Sequence, residues 1–483
     1  MENNTKYEHN TSILSKLSKP PDILNGTIWK IIIKLSLPII IAHLFQTFYN
    51  LVDAFWLGKL GKTALAAPTI TFNVVFAIIA LAGGLGAGGM TVLAQYKGAG
   101  NDKMVNETAT NTFLVVFIIS CILAALGYIF TPQILNIMQT PADAYIQTLK
   151  YMRIIFIGIP FVFGFYIYQG LMQGYGDTIR PMKINAITVI INVVLDPILI
   201  FGLGPIPKMG VAGAAIATIF SQFISSTIGF IQLLSGKYGI KINFKNFKFN
   251  KIIIKSIFRI GLPISLGQSG TALGFTLLMG LVNTFGTSVV GAFGIGNRII
   301  SLLTTPAMGL SQGTSTIVAQ NIGAKNIQRA ESSVWTAVLI NGSILFVFTT
   351  LLFFFGGSVV KFFINDPDVI IVGQSMFKIT SYSVLFFSIM VVFTAAFQGS
   401  GHTMPVFILQ VARLWIFRIP LAYLFAKQLN YGPNGIFWAM FISNTFIAFA
   451  SFLWFKTGKW KKNIIKSPTS RIISEEEIEL NQK

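Results

Sequence analysis

The sequence contains little cysteine, histidine or acidic side chain. It has one cysteine, three histidines and 16 aspartate and glutamate residues among 483. The single Cys121 cannot form an internal disulfide, and because it lies in an apolar run we expect it to be a small core residue. The histidines at 9, 43 and 402 have no metal-ligand spacing, and no nucleophile and base stand in a catalytic pattern. The sequence therefore predicts neither a metal centre nor an enzyme.

Charged residues are also scarce, and this excludes an ordinary soluble domain. They make up 11% of the chain, whereas soluble proteins carry about 25%, and 53% of the residues are hydrophobic. Apolar stretches of about 20 residues or more recur, which is long enough for a helix to cross a hydrocarbon core. The alternation typical of membrane β-barrels is absent from these stretches. We therefore predict an all-α polytopic membrane protein.

The net charge of +20 is concentrated beside the apolar stretches. Six lysines lie within residues 237–255, and a second basic group follows the last apolar run at 456–471. Clusters of this kind are typical of cytoplasmic loops under the positive-inside rule, so we predict no nucleic-acid partner. The first 25 residues are polar and show no signal peptide.

One half of the sequence repeats in the other. Residues 95–101 read Gln-Tyr-Lys-Gly-Ala-Gly-Asn, and 225 positions later residues 320–326 read Gln-Asn-Ile-Gly-Ala-Lys-Asn. Leu-Pro at 37–38 recurs in the same register at 262–263. Repeated halves in an apolar chain are typical of transporters, and we expect both halves to fold alike.

Apolar runs between turn signals predict twelve transmembrane helices, six in each half. The first six lie near 34–57, 66–93, 109–130, 146–172, 182–203 and 211–234. The second six lie near 256–284, 291–318, 333–356, 372–398, 405–427 and 435–456. Because each half has an even number of spans, the halves are parallel repeats. We predict two pseudo-symmetric six-helix bundles around a cavity that opens alternately to the two sides.

The predicted organisation has five parts. They are an N-terminal tail (1–25), an N-lobe (26–234), a basic linker (235–255), a C-lobe (256–456) and a C-terminal tail (457–483). If the spans alternate, the loops rich in lysine and arginine fall on one side of the membrane. Both termini and the linker are therefore predicted to be cytoplasmic in a cell, or inner, membrane. Two self-contained lobes also predict a monomer.

Two carboxylates lie well inside the predicted spans, Asp53 and Asp196. An ionisable residue costs about 2.5–3.5 kcal/mol in a membrane helix and marks a cavity or an ion path. Asn192 precedes Asp196 by four residues and shares its helix face, while Pro197 is expected to kink the helix and free the carbonyl of Val193. The alternative is that Asn192 and Asp196 only hold packed helices together.

Further oxygen groups are expected near these acids. Thr218 and the backbone at Ala214, one turn apart in the next span, would complete a site of hard oxygen ligands for Na⁺ or a proton. Asp53 ends a polar stripe along the first span. The other members of the stripe are Gln46, Tyr49 and Asn50.

The second half lacks these acids, since the position that matches Asp53 is Leu278. It carries Arg413 and Arg418 within the eleventh predicted span instead. Either these arginines snorkel or pair with loop carbonyls, or they bind an anionic substrate group or a lipid phosphate. Phenylalanines and methionines, Met172 among them, are numerous enough to line an adaptable pocket.

Several motifs in this order resemble the multidrug and toxic compound extrusion (MATE) transporters over about residues 25–456. The motifs are Leu35-Ser-Leu-Pro38, the stretch Gln46 to Gly61, Leu65-Ala-Ala67, Gln95 to Asn101, Asn192 to Pro197 and Gly210 to Thr218. The resemblance implies twelve helices in two bundles and cation-coupled drug export. The lack of acids in the second half looks most like the DinF-like branch.

The resemblance also implies roles for single residues. It gives ion coupling to Asp53, Asn192, Asp196 and Thr218, and it places Gln46, Tyr49 and Asn50 near the drug cavity. We expect amphipathic, cationic organic compounds as substrates, lipid as the surroundings, and no cofactor apart from H⁺ or Na⁺ as coupling ion. The alternative hypothesis is a flippase for a lipid-linked saccharide or another amphipathic lipid.

Overall fold

The computed structural model describes residues 21–245 and 247–464. Most of the predicted N-terminal tail and the C-terminal tail beyond residue 464, with Lys466 and Arg471, lie outside these residues. Within the described ranges, twelve helices are long and apolar enough to cross a membrane. This confirms the predicted all-α, multi-pass fold.

The helices follow one another along the chain with short connections, apart from the linker at 236–250. The N-lobe helices are α1 Ile28–Leu60, α2 Lys62–Gly98, α3 Asp102–Ile137, α4 Ala142–Tyr175, α5 Ile179–Phe201 and α6 Val211–Ser235. The C-lobe helices are α7 Lys251–Asn283, α8 Thr287–Gly323, α9 Ile327–Phe363, α10 Pro367–Ser400, α11 Met404–Gln428 and α12 Pro433–Lys456. Two segments of α11 are wound as π-helix, Ala412–Arg418 and Leu424–Gln428.

Most helices extend beyond the apolar runs that predicted them. The third span was expected at 109–130, whereas α3 covers Asp102–Ile137. Its start is fixed by Asn101, whose side chain accepts a hydrogen bond from the backbone N–H of Met104, and Asn326 caps α9 in the same way 225 positions later. Apolar runs mark the part of a helix that crosses hydrocarbon, while the helix itself continues to its cap.

Cys121 does not occupy the predicted core position. It lies exposed on the surface of α3. In a membrane protein an apolar residue is equally stable against lipid and against another helix. An apolar run therefore does not distinguish a core cysteine from one on the outer surface of the bundle.

Several connections gather at one end of the molecule, which we call the basic end. It holds the connections at 99–101, 176–178, 236–250, 324–326 and 401–403. The linker packs here on α3, because the backbone N–H of Lys241 donates to Oδ1 of Asn106 at 2.8 Å and the N–H of Asn250 donates to Oδ1 of Asn111 at 3.0 Å. Helix α7 begins at Lys251, so the last part of the predicted linker is helical.

Glycines allow the two lobes to approach closely. A Cβ atom at Gly84 or Gly88 of α2 would meet the backbone of α7 around Gly261, and one at Gly309 or Gly313 of α8 would meet α1. These two crossings are equivalent under the repeat, since Gly309 and Gly313 follow Gly84 and Gly88 by 225 positions. The small residues thus bring α2 against α7 and α1 against α8.

Candidate functional site

The buried carboxylate of Asp196 is the centre of the candidate site. The residue is fully buried on α5, which continues through Pro197 to Phe201. Its Oδ1 accepts a hydrogen bond of 3.3 Å from Nδ2 of Asn192, one turn earlier. The predicted shared face is therefore correct, and the proline lies within a helix that remains continuous.

The acceptors around Asp196 outnumber the donors. Oδ2 of Asp196, Oδ1 of Asn192 and Oδ1 of Asp53 are buried without a hydrogen-bond partner among the described residues. Buried carboxylates are stable only when they are protonated, paired or bound to a cation. The three oxygens are thus the acceptors expected of a site that takes up a proton or a small cation.

Helices α1, α4 and α6 surround this carboxylate. The hydroxyl of Tyr49 on α1 is hydrogen-bonded to Oγ1 of Thr218 on α6 at 2.8 Å. Tyr151 of α4 packs in one buried cluster with Leu57, Ile200 and Ala214, which lie one helical turn from Asp53, Asp196 and Thr218, so these side chains lie around one space. We call Tyr49, Asp53, Asn192, Asp196 and Thr218 the N-lobe polar cluster.

Tyr151 is a member of this surrounding that the sequence did not single out. It is 8% exposed and lies within the predicted fourth span. The only sequence signal for its role was a polar hydroxyl group inside an apolar run. Tyrosine carries that signal weakly, because it is also common where membrane helices meet the interface.

The other predicted residues lie at varying distances from the cluster. Gln46 donates to Oδ1 of Asn50 at 3.3 Å on the exposed side of α1. Ala214 is fully buried in an apolar cluster of α1, α2, α4, α5 and α6 that also contains Tyr151. Met172 is buried in the apolar core of the N-lobe near the basic end, and the structure does not bring it to the cluster.

The cluster lies toward the end of the molecule opposite the basic end. Asp53 is seven residues before the end of α1 at Leu60, which is roughly 10 Å along the helix. Among the described residues no three histidine, cysteine or acidic side chains form a metal site. Carboxylate, amide and hydroxyl oxygens suit a hard monovalent cation such as Na⁺, or a proton.

The lobes close on each other at the basic end through paired glutamines. Nε2 of Gln95 on α2 donates to the carbonyl of Gly399 on α10 at 3.0 Å, and Nε2 of Gln320 on α8 donates to the carbonyl of Gly174 on α4 at 2.8 Å. Both bonds are buried, and they are related by the 225-residue repeat. We call these two bonds the glutamine latch. The polar cluster lies on the far side of this closure.

The predicted arginines form a second polar cluster in the C-lobe. Nε of Arg418 donates to Oγ of Ser443 at 3.1 Å, and its Nη2 donates to Oδ1 of Asn444 at 2.5 Å. Arg413 lies over the ring of Phe387, with its guanidinium carbon 4.5 Å from the ring centre. Both side chains are buried in the middle of α11, so the alternative of snorkelling or pairing with loop carbonyls is wrong.

Comparison with known proteins finds a family model and full-length relatives that match this chain. The MatE family model matches residues 38–198 and 263–424. A probable multidrug resistance protein, YpnP of Bacillus subtilis (strain 168), is 28% identical over 448 residues, which cover 92% of this chain and 98% of that protein. An FAD transporter of Shewanella oneidensis is 29% identical over 435 residues, covering 89% of this chain and 95% of that protein.

A solved structure shows the same arrangement of helices. It is an outward-facing conformation of a multidrug resistance MATE family transporter of the MOP superfamily. The similarity has a TM-score of 0.83 at 26% identity, and it covers 91% of this chain and 98% of that one.

Proposed function

Because this chain belongs to the MatE family of multi-pass membrane transporters, we propose that it exports small organic compounds by antiport against an inward flow of H⁺ or Na⁺. The observation that carries the coupling part of the proposal is the set of buried oxygens at Asp53, Asn192 and Asp196 that have no donor in the described part of the chain. A proton or Na⁺ would neutralise the acids and supply what these oxygens lack.

Ion binding would then bias the two lobes between states. A charged carboxylate is stable when the cleft around it is hydrated, whereas a neutralised one tolerates dehydration and closer packing of α5. A ligand that binds one state more tightly shifts the population toward it. If the basic end is cytoplasmic, as the positive-inside rule indicates, the closed glutamine latch supports an outward-facing state in which the ion would enter from outside.

The substrate would occupy the cleft beside the N-lobe polar cluster. Gln46, Tyr49 and Asn50 offer hydrogen bonds along α1, and the acids favour a cationic group. We propose amphipathic organic cations as substrates, a monomer as the working unit, and the inner or cell membrane, with cytoplasmic termini, as the location.

Transport by reconstituted protein tests the proposal. Efflux of a fluorescent cationic dye from proteoliposomes is measured with Na⁺ and H⁺ gradients imposed separately. We expect one gradient to drive export, and we expect Asp196→Asn to abolish the driven component because the amide cannot take up a proton and has no negative charge to hold a cation. The matched control is Asp143→Asn, which neutralises an exposed acid in the first turn of α4 and should leave transport unchanged. Full gradient-driven efflux by Asp196→Asn would rule out the mechanism.

A second candidate function is favoured by the buried arginines of α11. Arg413 and Arg418 would suit the phosphate of a lipid-linked saccharide, moved by a flippase, or that of a dinucleotide such as the cargo named for the Shewanella relative. For this function, replacing both arginines with glutamine would stop transport of the phosphate-bearing compound, while Asp196→Asn would leave it intact.

A further inference from the structure

The C-lobe arginine cluster, formed by Arg413, Arg418, Ser443 and Asn444, has more positive charge than its partners balance. Arg413 is 8% exposed and Arg418 is 4% exposed. Nη1 of Arg413 and Nη2 of Arg418 both point at Oδ1 of Asn444, at 3.5 and 2.5 Å. Two cations therefore converge on one neutral oxygen. Nε of Arg413 is buried with no partner among the described residues.

No acid of the C-lobe is near enough to balance these charges. Between residues 256 and 456 the acids are Glu331, Asp366 and Asp368. Glu331 pairs with Lys461, and Asp366 caps the start of α10. Ser383, which accepts from Nδ2 of Asn444, is the middle residue of α10, so roughly 25 Å of helix separates the cluster from either end. A buried charge without a counter-charge is strongly unfavourable.

The local backbone and the repeat both mark this place. Arg413 and Arg418 lie in the π-helical segment Ala412–Arg418, and such segments are frequent at functional sites. Ser443 follows Thr218 by 225 positions, so the sixth helix of each lobe contributes a hydroxyl to a polar cluster. The N-lobe cluster has acids that lack a cation, and the C-lobe cluster has cations that lack an acid.

We propose that the arginine cluster is a binding site for one oxyanion, a carboxylate or phosphate group that lies between the two guanidinium groups beside Asn444. Guanidinium presents a planar fork of N–H donors that matches two oxygens of such a group. The anion would use the donors left free on both arginines. The inference depends on the cluster alone, so its failure and a failure of ion-coupled export would be seen in different experiments.

The direct test measures the thermal stability of the purified full-length protein. In detergent, potassium acetate and potassium phosphate are compared with potassium chloride at equal ionic strength. In nanodiscs, phosphatidylglycerol is compared with phosphatidylcholine. We expect a saturable rise of several degrees in Tm in at least one comparison. A rise in the detergent arm assigns the site to a free anion, and a rise confined to phosphatidylglycerol assigns it to a lipid headgroup. Equal Tm values in both comparisons would overturn the proposal.

A variant that supplies its own anion sharpens the test. Asn444→Asp places a carboxylate at the oxygen that both arginines already approach. We expect this variant to melt above the wild type in chloride and to lose the shift produced by oxyanion or anionic lipid. Arg298→Gln, which removes an arginine from α8 of the same lobe, should keep the wild-type shift. If Asn444→Asp folds and responds to anions as the wild type does, the proposal is wrong, and if it does not fold the wild-type comparisons decide.

Discussion

At the scale of single residues, the N-lobe polar cluster differs from ordinary polar packing between helices in its balance of donors and acceptors. One hydrogen bond forms, from the side-chain amide of Asn192 to the carboxylate of Asp196, whereas three buried oxygens have no donor among the described residues. Residues that only hold helices together normally pair donor with acceptor, because an unpaired buried group costs about 1–3 kcal/mol. The imbalance favours ion binding over the packing role that the sequence left open.

The sequence predicted the acids of this cluster because a carboxylate inside an apolar run is costly and therefore conspicuous. It did not predict Tyr151, whose phenol is unremarkable in a membrane protein. It also placed Met172 in the cavity on its residue type alone, and the structure shows it in the core. Whether an apolar side chain lines a cleft, faces lipid or fills a core depends on helix rotation, which composition does not fix.

The bond between Tyr49 and Thr218 offers a prediction at this scale. Thr218→Val removes the hydroxyl that lies 2.8 Å from the tyrosine oxygen. We expect a loss on the order of 1 kcal/mol, or about fivefold in apparent affinity for the coupling ion, because the tyrosine is no longer positioned. Ion dependence of dye efflux measures it, and Thr218→Ser, which keeps the hydroxyl, should match the wild type. A fivefold loss in Thr218→Ser as well would contradict this explanation.

His402 predicts a pH effect outside the membrane spans. Burial lowers the pKa of its imidazole below the usual 6.5, and the positive charges of Arg259 and Lys462 lower that pKa further. The unfolded chain then binds the proton more readily than the folded protein. The neutral imidazole's contribution to folding stability is therefore fully present above about pH 6.5 and is lost as the pH falls through the pKa of the folded state. Tm should therefore drop more between pH 7.5 and 5.5 in the wild type than in His402→Gln. Identical drops would show that His402 does not contribute.

At the scale of elements, the paired glycine crossings show what the repeat specifies. The sequence repeats Gly84 and Gly88 as Gly309 and Gly313, 225 positions later, and small residues of this kind permit close helix packing. It did not indicate that these glycines pack against the opposite lobe, because a small residue permits a close approach but does not determine which helix approaches. The partner follows only from how the two bundles meet.

A methyl group at one crossing tests this contact. In Gly88→Ala the new Cβ would meet the backbone oxygen of Ile257, and backbone cannot turn aside as a side chain can. We expect destabilisation of about 1–3 kcal/mol, as for other overpacked sites, measured by thermal unfolding. Gly342→Ala is the matched control, since no atom lies within 4 Å of that added Cβ. Equal Tm values for the two variants would contradict the crossing.

At the scale of the whole molecule, a symmetric scaffold holds two electrically opposite clusters. Caps, glycines and latch bonds recur at an interval of 225 residues, whereas the acids occur in one lobe and the buried arginines in the other. The sequence predicted both lobes and their parallel relation, because these follow from span count and repeat. It did not predict which end is closed, because the same helices form both the inward-open and the outward-open state of a transporter. The relative tilt of the two bundles distinguishes these states.

The glutamine latch gives a prediction about that balance of states. Gln95→Leu with Gln320→Leu removes both buried bonds from the amides to the carbonyls of Gly399 and Gly174. Those carbonyls then lose their side-chain donors at a buried interface, so closure at the basic end loses on the order of 1 kcal/mol per bond. We expect the population to shift toward a state that is open at this end.

Spin labels placed on the exposed residues Lys103 and Gln328 report the distance across the basic end. The labels are attached in a Cys121→Ser background, which leaves no other cysteine in the chain. The wild-type latch should give one short distance, and the double variant should add a longer one. Gln133→Leu, on the exposed surface of α3, should leave the distribution unchanged.

Because the two bonds are copies related by the repeat, each single variant should produce about half the free-energy shift of the pair. A double variant with the wild-type distribution would mean that the remaining contacts between the lobes, among them the glycine crossings and the bond from Thr91 to the carbonyl of Gln398, are sufficient to hold them closed.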